Sequence, residues 1–415
     1  MKNNILNTVL VLIITIPLLL AGCSKTPDEI LPEDPVPIDI TADQATLIES
    51  ENTFAFDFFG ELMKTTGVNG NVMVSPLSIS VALSMTLNGA YGATRDSMLK
   101  ALRVAGISPE TINNSYKKLT EALLSVDKRI IMSIANSVWT EDDFVVKQPF
   151  IDILKNYYEA ESRSFDINDP SAPDDINAWI EEKTNGLIKK MVESLNDNTV
   201  MLLINAIYFK GKWKSQFDET KTVQMPFYTP SGSSPDVPMM RQTTDFEVYD
   251  GDGFILAEFP YGQGNYVMDV ILPDEQNGIG GLLPLFTEAN FQTWLGHLAE
   301  RETDLYFPRF KYGFKKQLKD ILTTMGMGIA FTDAADFSNI SDIDLLINDV
   351  THQTFIETNE EGTEAAAVTI VDIGTTSMPP PPLVFKMDHP FIYLIREITT
   401  NSVIFMGMVA DPLAN

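Results

Sequence analysis

One cysteine, Cys23, and three histidines, His297, His352 and His389, are all that 415 residues contain of two versatile side chains. Disulfides within the chain are therefore excluded, and any fold rests on the size of its apolar core. Metal centres built from Cys or His are out of reach on the same inventory, so none is expected. Basic residues are scarce as well: 29 Lys and Arg stand against 57 Asp and Glu, a formal net charge of −28. Phosphate backbones are held by concentrated positive surface, which argues against nucleic acid and against an anionic membrane face as partners of the folded part. No G-x-S-x-G or H-E-x-x-H occurs, and Gly251-Asp252-Gly253 and Gly326-Met327-Gly328 extend to no dinucleotide or phosphate-loop fingerprint. The acidic run DINDPSAPDD at 166–175 lacks the glycine turn and terminal Glu of a calcium loop. Neither an enzyme nor a cofactor is expected.

What the chain has is apolar mass, 44% hydrophobic with 10% aromatic, enough for a large core. Lys2 followed by the mostly apolar Ile5–Leu20, broken by Asn7, Thr8, Thr15 and Pro17, is the pattern of an export signal rather than a spanning helix. It ends in Leu20-Ala21-Gly22-Cys23, which resembles a bacterial lipoprotein signal. That resemblance implies that residues 1–22 are removed, that the Cys23 thiol carries lipid, and that the product is anchored in the cell envelope. An outer-membrane or cell-surface position is implied, otherwise a periplasmic one, with membrane contact through the lipid alone. The Pro- and acid-rich stretch that follows reads as a tether, 23–44. No internal repeat or second linker is visible, so 45–415 reads as one domain.

Capping and periodicity predict a helix starting around Thr41 to Gln44 that carries Phe54, Phe58 and Leu62. Further helices are predicted over 76–91, 110–124, 147–159, 173–182 and 315–326. Strands are predicted over 130–139, 199–209, 254–259, 265–272, 303–307, 353–358, 383–387, 391–396 and 402–409. Helices early and strands late, at hairpin-like spacing, indicate an α+β fold rather than a βαβ repeat.

One segment contradicts itself. In EEGTEAAAVTIVDIGTTSMPPPP, Glu360–Ala367 favours helix, Thr369–Ile373 favours strand, and Pro379–Pro382 forbids both.

Four longer stretches explain why. NVMVSPLSISVALSMTLNGAYGATRDSMLKAL (71–102), LINAIYFKGKW (203–213), VTHQTFIETNEEGTEAAA (350–367) and HPFIYLIREITTNSVIFMGMVADP (389–412) resemble the serpins, in that family's order and spacing. The resemblance implies three β-sheets ringed by about nine helices, with an exposed reactive loop over about 360–382. It also implies a monomer that inhibits a protease by suicide: the protease cuts one loop peptide bond and forms an acyl-enzyme. The cut loop then inserts as a new strand of the large sheet, and the acyl-enzyme persists. A non-inhibitory serpin, acting as a protease substrate or a binding protein, is the alternative.

The loop suits insertion. Alternation sends Thr363, Ala365, Ala367, Thr369, Val371 and Ile373 inward, and Glu364, Ala366, Val368, Ile370 and Asp372 outward. The implied hinge is Glu360, Gly362, Thr363, Glu364, Ala365, Ala366 and Ala367, small where the strand enters. About ten new ladder hydrogen bonds at roughly 1 kcal/mol each would supply a driving force on the order of 10 kcal/mol. Counting as the family does places the reactive bond at Thr376-Ser377, with Gly374 and Thr375 as neighbouring subsites. A small β-branched Thr376 suits a shallow uncharged pocket, hence an elastase-like serine protease, or a cysteine protease reading Thr375. By position, Ser75, Ser78, Asn205 and His352 match the family's shutter under the large sheet, and Trp213 matches the breach where insertion begins. Gly313 departs from the family, which commonly carries an acidic residue there. Lys117, Lys118, Lys128 and Arg129 read as ordinary surface rather than a polysaccharide site.

Overall fold

The computed structural model describes residues 34–196, 198–276, 278–362 and 381–414. Cys23, Thr363, Glu364, Ala365, Ala366, Ala367, Gly374, Thr375, Thr376 and Ser377 lie outside the described residues. The first helix, α1 (Ala42–Thr66), opens with a capping box. The Thr41 hydroxyl accepts from the Gln44 N–H, and the Gln44 side chain accepts from the Thr41 N–H, which satisfies two otherwise orphaned donors. Phe54, Phe58 and Leu62 then recur along one face and are fully buried. Ser75-Pro76 opens α2 (Pro76–Leu87) in the same economical way, Ser75 capping and Pro76 occupying a position whose N–H has no helical partner. This helix is apolar on nearly all sides because it runs through the interior.

The remaining helices are α3 (Gly92–Ala101), α4 (Pro109–Ser125), α5 (Gln148–Tyr158), α6 (Ala172–Lys183), α7 (Gly278–Leu282), α8 (Glu288–Leu295) and α9 (Lys319–Leu322). The first seven strands are β1 (Val72–Val74), β2 (Ile130–Glu141), β3 (Glu161–Phe165), β4 (Met201–Gly211), β5 (Val223–Pro226), β6 (Asp236–Gly251) and β7 (Phe254–Tyr261). The other seven are β8 (Tyr266–Pro273), β9 (Ala299–Pro308), β10 (Phe310–Gln317), β11 (Thr351–Thr358), β12 (Leu383–Lys386), β13 (Phe391–Glu397) and β14 (Val403–Val409).

These strands form three sheets, of nine, three and two strands, in a mixed α+β fold. The nine-stranded sheet runs β1-β14-β13-β8-β7-β6-β9-β12, with β5 attached to β6. Strands β8, β13 and β14 are buried along their whole length, so they read as largely apolar runs rather than alternating ones; Asp269 of β8 pairs with Arg396 of β13 at 2.7 Å. The three-stranded sheet is β3-β2-β4 and the two-stranded one is β10-β11. Among the described residues, no strand pairing joins β4 to β11.

One predicted helix starts late and is irregular. Over 315–326 the chain instead finishes β10, makes the single turn α9, and continues as a wide turn over Thr323–Met327, broken at Gly326 with φ of 109°. FKKQLKD favours helix locally, but Lys315 and Lys316 pair with Gln353 and His352 across the ladder, and that pairing overrides propensity. Gly313 faces Phe355 in the same ladder, which continues uninterrupted through it.

Candidate functional site: the strand gate and the hinge turn

α2 carries Ser75 and Ser78 to a point where β4 and β11 face each other, and four predicted residues meet there. His352 Nε2 accepts from the Ser75 N–H at 3.0 Å, and the Ser75 hydroxyl donates to the Ile404 carbonyl at 2.8 Å. The Ser78 hydroxyl donates to Asn205 Oδ1. Asn205 Nδ2 in turn donates to Asn136 Oδ1 at 2.7 Å, and Asn136 Nδ2 to the Tyr158 carbonyl at 2.8 Å. Asn136 and Asn205 are direct cross-strand partners on β2 and β4, which is why their amides meet. Burial pushes the His352 imidazolium down to a pKa of about 3, so the ring is neutral across the physiological range. An accepting Nε2 and a neutral ring agree: the proton sits on Nδ1.

Between β4 and β11 lies a cleft of about 1180 Å³. Leu203 and Asn205 line one wall, Thr351 and His352 the other, and Ser78 and Leu83 of α2 the floor. The four-residue cluster therefore ties the floor to both walls of a gap between two half-sheets.

At the far end of β11 the chain reverses. The Gly362 N–H donates to the Asn359 carbonyl at 3.1 Å, and the two residues pair antiparallel. Gly362 has φ of 83°, a region that favours glycine. Its α-carbon is also pressed onto the backbone of the β4 exit: a Cβ there would lie 2.3 Å from the Trp213 nitrogen and 2.7 Å from the Gly211 oxygen.

Trp213, the predicted breach aromatic, holds that turn in place. Its backbone N–H donates to the Glu361 carbonyl at 3.1 Å and its indole N–H to the Asn359 carbonyl at 3.0 Å. The ring stacks on Tyr261 at 4.3 Å and is buried among Phe217, Phe259 and Phe307. Glu360 points the other way, into a site formed by Arg309 and Thr222. Arg309 Nε donates to its Oε1 at 2.7 Å, and the Thr222 hydroxyl donates to the same oxygen. Burial alone would raise the Glu360 carboxyl, yet the Arg309 and Thr222 hydrogen bonds outweigh it and hold it below the ordinary carboxylate range.

Asn136, Tyr158, Arg309, Thr222 and Asn359 belong to these two clusters and were not singled out from sequence. His389 sits apart, bonded on both nitrogens, to Asp388 at 2.9 Å and to the Pro273 carbonyl at 2.7 Å. His297 is exposed and lies over Tyr249 with ring centroids 5.3 Å apart.

A buried polar cluster between the three-stranded and two-stranded sheets, an aromatic cluster around Trp213 and a tight turn at Gly362 define a protein built around a gap between two small sheets. The family profile for serpins, serine protease inhibitors, matches residues 49–412, and this chain belongs to that family. An uncharacterized serpin-like protein of Thermococcus kodakarensis is 34% identical, with 88% of this chain and 86% of the relative covered. Antithrombin-III of Mus musculus is 33% identical over 89% of this chain and 82% of its own length. The thermophilic serpin Tengpin in its native state superposes with a TM-score of 0.81 at 31% identity, covering 92% of this chain and 98% of Tengpin. A thyroxine-binding globulin in complex with thyroxine superposes with 0.80 at 26% identity, covering 88% and 99%. Serpins in general inhibit proteases rather than catalyse reactions, though the fold also serves members that bind other ligands.

Proposed function

We propose that this chain is a suicide-substrate inhibitor of serine endopeptidases of elastase-like specificity. The observation that carries the reading is the Asn359–Gly362 turn at the end of β11. Extending the register of that antiparallel pair would bring Thr363 opposite Thr358, Ala365 opposite Ile356 and Ala367 opposite Thr354. All three β11 residues are buried, whereas Glu364 would stand opposite the exposed Glu357. The small residues thus fall on the buried face and the charge on the open one, as alternation along a strand requires.

In this mechanism the protease's nucleophile attacks the Thr376 carbonyl, Ser377 leaves as the new amino terminus, and the acyl bond stays on Thr376. The segment from Gly362 then inserts between β4 and β11 before water reaches the acyl bond. Insertion adds a strand to an existing sheet, and main-chain hydrogen bonds supply its driving force. The loop between Gly362 and Pro382 holds no Lys or Arg, which excludes proteases whose primary pocket presents a carboxylate. Cysteine proteases reading Thr375 are a secondary target class.

Incubation of the folded chain with a pancreatic-type elastase is expected to give a covalent complex that survives SDS. Trypsin is expected to form none. Complete cleavage into two fragments, with the elastase still active, would overturn inhibition and establish the substrate-like or binding alternative.

Anchoring through Cys23 belongs to the same proposal, supported by the Leu20-Ala21-Gly22-Cys23 sequence. It holds the inhibitor at the cell envelope by lipid alone. Cys23→Ser is expected to move the protein from the membrane fraction to the soluble one in a bacterial host. An unchanged distribution would refute lipid attachment at that residue.

A further inference from the structure

Glu51 of α1 is a carboxyl group with 6% of its surface exposed. Two hydroxyls donate to it, one from Ser80 on α2 and one from Tyr116 on α4. From the helices packed against it, the titratable groups that bear on it are Tyr116 and, from α5, Tyr158. No lysine, arginine or histidine among the described residues contributes to its environment. A buried carboxylate without a counter-ion is costly, and hydroxyl donors offset only part of that cost. Burial accordingly raises the Glu51 carboxyl to about 7, against the opposing pull of Ser80 and Tyr116.

The location gives this chemistry a consequence. Ser80 and Ser84 lie one turn apart on α2, and both are buried. That face of the helix meets Glu51, while Ser78, Ala82, Leu83 and Thr86 on another face line the cleft between β4 and β11. α2 is therefore held between the carboxyl group and the gate.

We propose that Glu51 is a proton-operated latch on α2: protonated, it lets α2 seat firmly beneath the gate, and ionised, it loosens that helix and eases opening of the cleft. The folded state retains a proton on this group at pH values where a solvated Glu has lost it. Stability from the group is therefore fullest at the acid end, below the unfolded Glu range. It declines as pH rises towards 7 and stays low above that. The inference uses no part of the inhibitory reading, and no protease enters its test.

The test is amide hydrogen exchange of peptides covering Ser75–Leu87 in the full chain between pH 5.5 and 8.5, corrected for intrinsic exchange. Protection of α2 is expected to fall on the order of tenfold or more with an inflection near neutrality, since one unit of pKa difference corresponds to a factor of ten. Glu51→Gln, which keeps the shape and one acceptor oxygen without a charge, is expected to remove the inflection. Tyr116→Phe removes one donor to the carboxylate and is expected to move the inflection to higher pH. An unaltered inflection in either variant, or pH-independent protection of α2 in the parent, would overturn the latch.

Discussion

Gly362→Ala is expected to destabilise the folded chain by several kcal/mol, the sum of a positive-φ penalty and a backbone collision. The new Cβ would lie 2.3 Å from the Trp213 nitrogen, 2.7 Å from the Gly211 oxygen and 2.8 Å from the Lys212 carbonyl carbon. Each of these atoms belongs to a backbone, so no rotamer change relieves the contact. The turn would have to leave the β4 exit, which breaks the Trp213 bonds to Glu361 and Asn359 together. Gly67 supplies the control. It has φ of 75°, and a Cβ there would meet nothing within 4 Å. Its ψ of −169° lies in a region essentially reserved for glycine, so Gly67→Ala is expected to cost about 1–3 kcal/mol of backbone strain alone, without a collision, and less than Gly362→Ala. Thermal or urea unfolding of the two variants side by side measures the difference. Equal losses would mean that the close approach at Gly362 does not operate.

Thr363→Arg is expected to turn the inhibitor into a substrate, lowering the ratio of covalent complex to cleaved product at least tenfold. In the proposed mechanism binding and cleavage of the loop rest on Thr375–Ser377 and should be unchanged. Insertion is different, because in the register that continues from Asn359 and Gly362 this side chain would face the buried Thr358. An arginine buried there without a partner raises the barrier to the step that must outrun hydrolysis. Glu364→Arg is the matched control: it introduces the same side chain one residue on, towards the exposed Glu357, and is expected to leave the ratio nearly unaltered. Quantifying complex and fragment on SDS gels against elastase decides it. Equal effects from both variants would remove the alternation argument.

Much of this protein was legible from local pattern. Ser75-Pro76 and the Thr41–Gln44 pair mark helix starts through hydrogen bonds between residues three apart, so a sequence window contains both partners. The apolar runs of β8, β13 and β14 stand out for the same local reason. β6 was not visible. Its sequence DVPMMRQTTDFEVYDG is polar, contains Pro238 and lacks clean alternation. It is a strand because β5, β7 and β9 pair with it. The helix expected over 315–326 begins only at Lys319 for the mirror-image reason, with β11 recruiting Lys315–Gln317 into a ladder.

The candidate site divides along the same line. Ser75, Ser78, Asn205, His352 and Trp213 were within reach through their family blocks, and the structure adds the neighbours that those blocks do not contain. Asn136 reaches Asn205 because β2 and β4 pair in one register, and Arg309 reaches Glu360 because the chain between β9 and β10 passes the hinge. A shift of one residue in either ladder would send those side chains to the opposite face.

By itself the sequence determined a disulfide-free, acidic α+β chain carrying one segment, 360–382, whose composition favours helix, strand and extended chain in turn. Those properties follow from composition and from alternation along one stretch. Tertiary structure alone decided that Gly362 has no room for a side chain, since the atoms that exclude one come from residues 211 to 213. It also decided that Glu51 lies without a counter-ion behind the gate, since its surroundings come from α2, α4 and α5. Both depend on the packing of segments distant along the chain, which is set by register and burial and leaves no trace in any short window of residues.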